Sequence, residues 1–204
     1  VDVDRAVLIG KDAGLANMTS AADGTIAIGY QSLKALTSGA ENTAIGYQAA
    51  DALDTGASNV VIGSSALGAD QKGARNVAIG NSALGLQVLT SNTETKNVGI
   101  GMFAGYNNVT GVNNVYVGYA AGNGATDQSN SNNTAVGMSA MLAVTTGDRN
   151  TAVGKDAFIA LTTGQYNVAI GYDAGTALDG GTHNVIIGDS AGIATTTVDK
   201  AVLI

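Results

Sequence analysis

A parallel β-solenoid is the fold the sequence predicts, and three observations predict it. The phrase Asn-(Val/Thr)-Ala-Ile-Gly keeps returning along the 204 residues. Its closing glycines are Gly10, Gly29, Gly46, Gly63, Gly80, Gly101, Gly118, Gly137, Gly154, Gly171 and Gly188, at spacings of 19, 17, 17, 17, 21, 17, 19, 17, 17 and 17. The composition suits thin coils: 29 Gly, no Pro, no Trp and two Phe. A 17-residue unit cannot bury a face alone, whereas stacked units can.

The strand comes first in each unit. The residue before the Gly is Ile or Val throughout (Ile9, Ile28, Ile45 and onward to Ile204), and two residues earlier stands Val, Ile or Thr. Such β-branched residues favour strands, and their period of two puts both on one face. The strand is expected to be four or five residues long. The Gly then makes a corner with φ > 0, where a Cβ would obstruct. This assigns Gly29, Gly46, Gly63, Gly80, Gly101, Gly118, Gly137, Gly154, Gly171 and Gly188 as corner residues. Ala follows three residues later in ten of eleven units, Ser32 being the exception, and Leu often follows that. This spacing predicts a short helical turn. A Gly-containing return turn closes the unit, at Gly39, Gly56, Gly73, Gly111, Gly147, Gly164 and Gly181. The extra residues of three units fall between the corner and the next strand, which predicts a tolerant surface loop.

Nine units carry Asn four residues before the corner: Asn42, Asn59, Asn76, Asn97, Asn114, Asn133, Asn150, Asn167 and Asn184. Stacked Asn amides can bond to one another and to backbone groups at the bend, so they are expected to form a structural ladder. About twelve 17-residue coils stacked at strand spacing would make a rod roughly 55 Å long. The repeat runs through residues 1–204 as a single array, and the apolar end Ala201-Val202-Leu203-Ile204 predicts a segment of a longer fibrous protein.

The residue two before each Gly is Leu8, Ala27, Ala44, Val61, Ala78, Gly99, Tyr116, Ala135, Ala152, Ala169, Ile186 or Leu203, never a charge. Strands buried on both sides read as continuous apolar runs. One short helical turn covers one face only, so the pattern predicts that a second chain covers the small-residue face. A homo-oligomer follows from this reading, and its order does not.

Composition also excludes partners. Nine Lys+Arg against sixteen Asp+Glu give −7, with no basic footprint for nucleic acid. No apolar run approaches the length of a membrane span, so no membrane insertion is expected. Without cysteine there is no disulfide framework or thiolate metal site.

Asn42-Thr43-Ala44-Ile45-Gly46-Tyr47-Gln48-Ala49 and Asn167-Val168-Ala169-Ile170-Gly171-Tyr172 resemble the repeats of phage tail fibres and bacterial tail-fibre-like surface proteins. They are also similar to the head repeats of trimeric autotransporter adhesins, which build a trimeric parallel β-roll. The resemblance covers essentially the whole chain and implies a homotrimer, intertwined or side by side. It implies a non-enzymatic fibre or head, extracellular on a bacterial surface or phage tail. Such a head would present a surface to a cell-surface glycan or outer-membrane receptor. The repeat here is longer than the adhesin-head coil.

Candidate chemistry is sparse. Tyr30, Tyr47, Tyr119 and Tyr172 directly follow corner glycines and are candidate receptor contacts, since amphipathic rings stack on sugars. The longer loops at residues 86–96 and 122–132 are further candidates. A glycan-degrading tailspike would need two carboxylates at a groove, for which Asp156 and Asp173 in adjacent coils are the pair to test. His183, the single histidine, is expected in a solvated turn. Asp179-Gly180-Gly181 only faintly matches calcium-binding glycine-rich repeats, so no metal and no cofactor are expected. An ice- or mineral-binding solenoid would need Thr in every coil, and Thr145-Thr146 and Thr162-Thr163 are too intermittent.

Overall fold

The computed structural model describes residues 4–89, 91–125 and 128–204. Twelve parallel strands form one sheet in chain order, enclosing eleven stacked coils of a mainly-β parallel solenoid. They are β1 (Val7–Ile9), β2 (Ile26–Ile28), β3 (Thr43–Ile45), β4 (Val60–Ile62), β6 (Val77–Ile79), β8 (Val98–Ile100), β9 (Val115–Val117), β10 (Thr134–Val136), β11 (Thr151–Val153), β12 (Val168–Ile170), β13 (Val185–Ile187) and β14 (Val202–Leu203). Two short strands outside this order, β5 (Gly73–Ala74) and β7 (Thr93–Glu94), pair in a second parallel sheet. Register is strict: each strand aligns the same repeat positions, as in Thr43↔Val60, Ala44↔Val61 and Ile45↔Ile62. Most strands have three residues, fewer than the four or five expected: the corner glycine ends each one, and from Asn59 to Asn184 the amide before the strand donates to an Asn side chain and not to a neighbouring backbone carbonyl.

The corner glycines do what the sequence requires of them. Gly46 has φ +141°, and a Cβ there would lie 2.6 Å from the carbonyl oxygen of Gly63. The corners stack backbone against backbone, so each coil's glycine excludes a side chain on the coil before it.

Among the described residues the expected helical turn does not follow directly on any corner; the single short helix, a 3-10 turn at Ser20–Ala22, comes ten residues after Gly10. Instead the backbone after the corner alternates between right- and left-handed residues, as at Gln48 (φ 51°) and Ala50 (φ 49°), or Ser65 (φ 53°) and Leu67 (φ 48°). A helical turn closes its hydrogen bonds upon itself. The alternating arc sends them to its neighbours: the Gln48 amide donates to the Tyr30 carbonyl one coil back, and Ala50 to Ala66 one coil ahead, at 2.8 and 2.9 Å. Left-handed L-residues are individually unfavourable, and these bonds along the stack hold them. Among the described residues, none of the 28 non-glycine residues with positive φ is Val, Ile or Thr, the types least able to adopt it.

The two strand faces are also the reverse of the expected assignment. The small residues Ala27, Ala44, Ala78, Ala135, Ala152 and Ala169 are buried inside their own coil, not against a second chain. They pack with Ala49, Ala66, Ala157 and Ala174 and with a column of larger side chains including Leu36, Leu53, Leu161 and Leu178. The cross-section is narrow, so the interior accepts small residues, and the β-branched rows are turned outward. Where one interior residue is large, glycine makes room. A Cβ at Gly105 would lie 2.6 Å from the ring of Tyr116, and one at Gly175 would lie 2.6 Å from Phe158.

Candidate recognition surface

The outward face of the long sheet carries two apolar rows. One holds Val60, Val77, Val98, Val115, Thr134 and their equivalents. The other holds Ile62, Ile79, Ile100, Val117, Val136 and theirs. Many of these side chains are about two-fifths exposed, including Val60 at 37%, Ile62 at 38% and Ile170 at 41%. Neighbours directly above and below in the stack shield the remainder. No residue in either row is charged.

Each row is bordered by a different rim. On the side before the Asn stand the exposed Arg5, Glu41, Arg75, Lys96, Arg149, Tyr166, His183 and Lys200. Their positive φ, such as 58° at Arg149, turns them out as the neighbouring Asn turns in. Along this rim Tyr166 stacks on His183 with centroids 4.8 Å apart, and Arg149 lies over Tyr166 at 5.3 Å. The single histidine is therefore part of an aromatic stack. Arg75 and Lys96 clamp Glu94 at 2.7 and 2.8 Å. The bond from Lys96 contributes most to holding the Glu94 carboxyl below its ordinary range. Near the same rim, the Thr182 amide and hydroxyl bond to Asp199 at 2.7 and 2.9 Å and hold its carboxyl low as well.

The opposite rim holds the four tyrosines that follow corner glycines, all exposed. Tyr30 and Tyr47 stack on each other at 5.3 Å, so each ring covers one face of the other. Lys155 lies over Tyr172 at 4.9 Å, and Tyr119 meets Phe103 edge-on at 6.5 Å. These contacts keep the rings in file along the stack. The carboxylate of Asp156 is engaged by Lys155 at 2.8 Å, a bond that raises the lysine pKa. Asp179 accepts a hydrogen bond from the Thr162 hydroxyl.

Behind the face runs the Asn column, all nine members buried. The Asn59 amide and side-chain nitrogen both donate to Asn42 Oδ1 at 3.0 Å, and Asn59 Nδ2 also reaches the Gly73 carbonyl at 3.0 Å. The backbone rung, from each Asn amide to the side-chain oxygen of the preceding Asn, continues from Asn59 to Asn184. Ala201 donates the last such bond. The carbonyls of the return-turn glycines are thereby satisfied inside the coil.

Residues 86–96 and 122–132 are not simple surface excursions. Gln87, Leu89, Thr95, Gln128 and Asn130 within them are buried, and Thr93–Glu94 pairs as a strand. Thr90, Thr126 and Asp127, which fall in these candidate loops, lie outside the described residues.

No family model matches the chain, and neither a curated protein nor a solved structure matches it. The fold itself, a parallel β-solenoid, is of the broad structural class that includes the β-rolls of fibres and adhesin heads. No described helix is long and apolar enough to cross a membrane, and no described cluster of three His, Cys, Asp or Glu is placed to hold a metal ion.

Proposed function

We propose that the chain is a non-enzymatic segment of an extracellular fibre, a tail fibre or a surface adhesin head or stalk. In this reading three copies pack as a homotrimer and present a recognition surface to another cell. The observation that carries the proposal is the uncharged, half-exposed double row of Val, Thr and Ile along the outer sheet face. Two rows on twelve strands cover on the order of 700 Å² at ordinary strand spacing. That exceeds the few hundred Å² of contiguous apolar surface usual on a monomer and approaches the roughly 800 Å² that one partner contributes to a stable interface. Its surroundings match interface anatomy, an apolar centre within a polar and aromatic rim. The three-fold order, the extracellular setting and a glycan or outer-membrane receptor as target rest on the repeat resemblance.

Burial of the Val and Ile rows leaves the outer arcs and the outermost rim side chains for contact with a cell. Light scattering on the purified chain tests the assembly: the expected mass is three times the 20.1 kDa of one chain. A folded species of one-chain mass contradicts it.

A further inference from the structure

We infer that the rod is jointed near its middle, where a polar layer divides it into two units that open separately. The interior column seven residues after each corner glycine reads Leu36 and Leu53 in early coils and Val144, Leu161 and Leu178 in late ones, all buried. Between them the same position holds Asp70, Gln87 and Asn108, which are equally buried, and then Ala125, which is exposed.

The polar side chains are wired to one another. Asp70 Oδ1 accepts the backbone amides of Gly73 at 3.0 Å, Lys72 at 3.2 Å and Leu89 at 3.3 Å, and Oδ2 accepts Gln87 Nε2 at 2.5 Å. None of these donors is a cation; Lys72 contributes only its backbone amide. Gln87 Oε1 accepts Asn97 Nδ2 at 2.8 Å, and the Thr95 hydroxyl donates to Asn76 Oδ1 at 2.7 Å. The side-chain rung of the Asn column is diverted here, as Asn97 Nδ2 turns to Gln87 and Gly111 while the backbone rung to Asn76 persists; Asn133 Nδ2 is diverted likewise, to Asn130 and Gly147.

The apolar core divides within the same layer. The buried hydrophobic residues fall into two clusters, one from Met18 to Leu84 and one from Ala104 to Ile186. At the seam the inward strand position is Gly99 and the facing arc position is Gly105, and only Leu84 from one block and the Tyr116 ring from the other reach into the space they leave, at 2.8 and 2.6 Å from where a Cβ of Gly105 would lie. In a stacked repeat, cooperativity depends on the interface between neighbouring coils. A buried carboxylate without a counter-charge couples coils less strongly than a column of Leu contacts. The Asp70 to Asn108 layer is therefore the weakest link between two apolar-cored blocks.

Native-state amide exchange on the full chain tests the joint, in whatever assembly it adopts, so the result is independent of the fibre reading. With rising denaturant, the strand amides of β3 and β4 are expected to exchange in a different opening from those of β11, β12 and β13. Their exchange rates should separate by at least tenfold. One opening shared by all these amides overturns the inference. A second measurement uses Asp70→Leu/Gln87→Leu, which restores the Leu column. If the variant folds, the two openings are expected to merge, and two persisting openings would remove the joint from this layer. If it does not fold, the wild-type exchange pattern alone decides.

Discussion

The late coils, residues 134–187, and the middle coils, residues 63–133, share one backbone and differ in what fills it. Late coils stack Ala on Ala and Leu on Leu, with Phe158 fitted against Gly175. Middle coils enclose Asp70, Gln87, Thr95, Asn108 and Asn130, plus a tyrosine whose hydroxyl bonds to Asn130. Burial pushes the Tyr116 phenol up, so the ring stays neutral. Asn130 Nδ2 is buried with no hydrogen-bond partner, a defect found at no other described side chain. The middle also contains both the 21-residue spacing and a 19-residue one. Longer arcs supply the extra buried donors and acceptors, such as Thr95 and the Leu89 amide. The corner and the ladder set how the coils stack, whatever fills the interior, while the interior column sets how strongly neighbouring coils couple.

The largest expected effect probes what both regions share. Gly46→Ala and Gly118→Ala each force a side chain into strongly positive φ and against the next corner. Each should cost more than about 4 kcal/mol or prevent folding, read by circular dichroism and denaturant melts. A tolerant Gly118 would mean that the middle coils do not share the corner geometry.

Removing interior volume from the apolar region comes next. Leu161→Ala is expected to cost about 3 kcal/mol through the cavity it leaves, and amide exchange should accelerate in the late coils before the early ones. Equal acceleration in β3 would argue against separate blocks. Within the ladder, Asn167→Ala leaves the Asn184 amide and the Gly181 carbonyl without their partner. About 2–3 kcal/mol should be lost. Asn97→Ala should cost a similar amount, because the backbone rung is continuous through both regions.

The smallest effect is a pH dependence confined to the middle. Burial, the dominant influence, raises the Asp70 pKa above its ordinary 3.8, so the folded state holds that proton more tightly than the unfolded chain. Stability from this group is present below pH 3.8 and is lost as pH rises through the folded value. Asp70→Asn lacks the transition, so wild type should weaken relative to the variant across that interval in paired melts. An opposite slope would show that the four donors to the carboxylate outweigh its burial.

Much of this was legible in residues. Strand positions, corner glycines and repeat register follow from Ile-Gly periodicity, and the Asn spacing pointed to an interior column. The orientation of the faces was not legible, because alternation specifies two faces without saying which is inside. Deciding that requires the width of the coil, and Ala at Ala44, Ala78 and Ala152 fits a narrow interior. The conformation of the arc was not legible, because Ala followed by Leu suits a helical turn as well as an alternating one. The absence of β-branched residues at Gln48, Ala50, Ser65 and Leu67 was the available sign. Likewise the step from Leu53 to Asp70 stood in the sequence, hidden until the coil aligned those positions. Of the candidate surface, the tyrosine file was visible in advance, whereas the stacking of Tyr166 on His183 needed the coil spacing.

The central claim is that the outer Val and Ile rows are covered by further copies of the chain. Sedimentation equilibrium of wild type beside Ile62→Glu/Ile170→Glu tests it most directly, since both side chains point outward and leave the interior unchanged. Wild type should sediment with the mass of three chains, and the variant with that of one at unchanged circular dichroism. A wild type of single-chain mass, or a folded variant that stays assembled, would contradict the account.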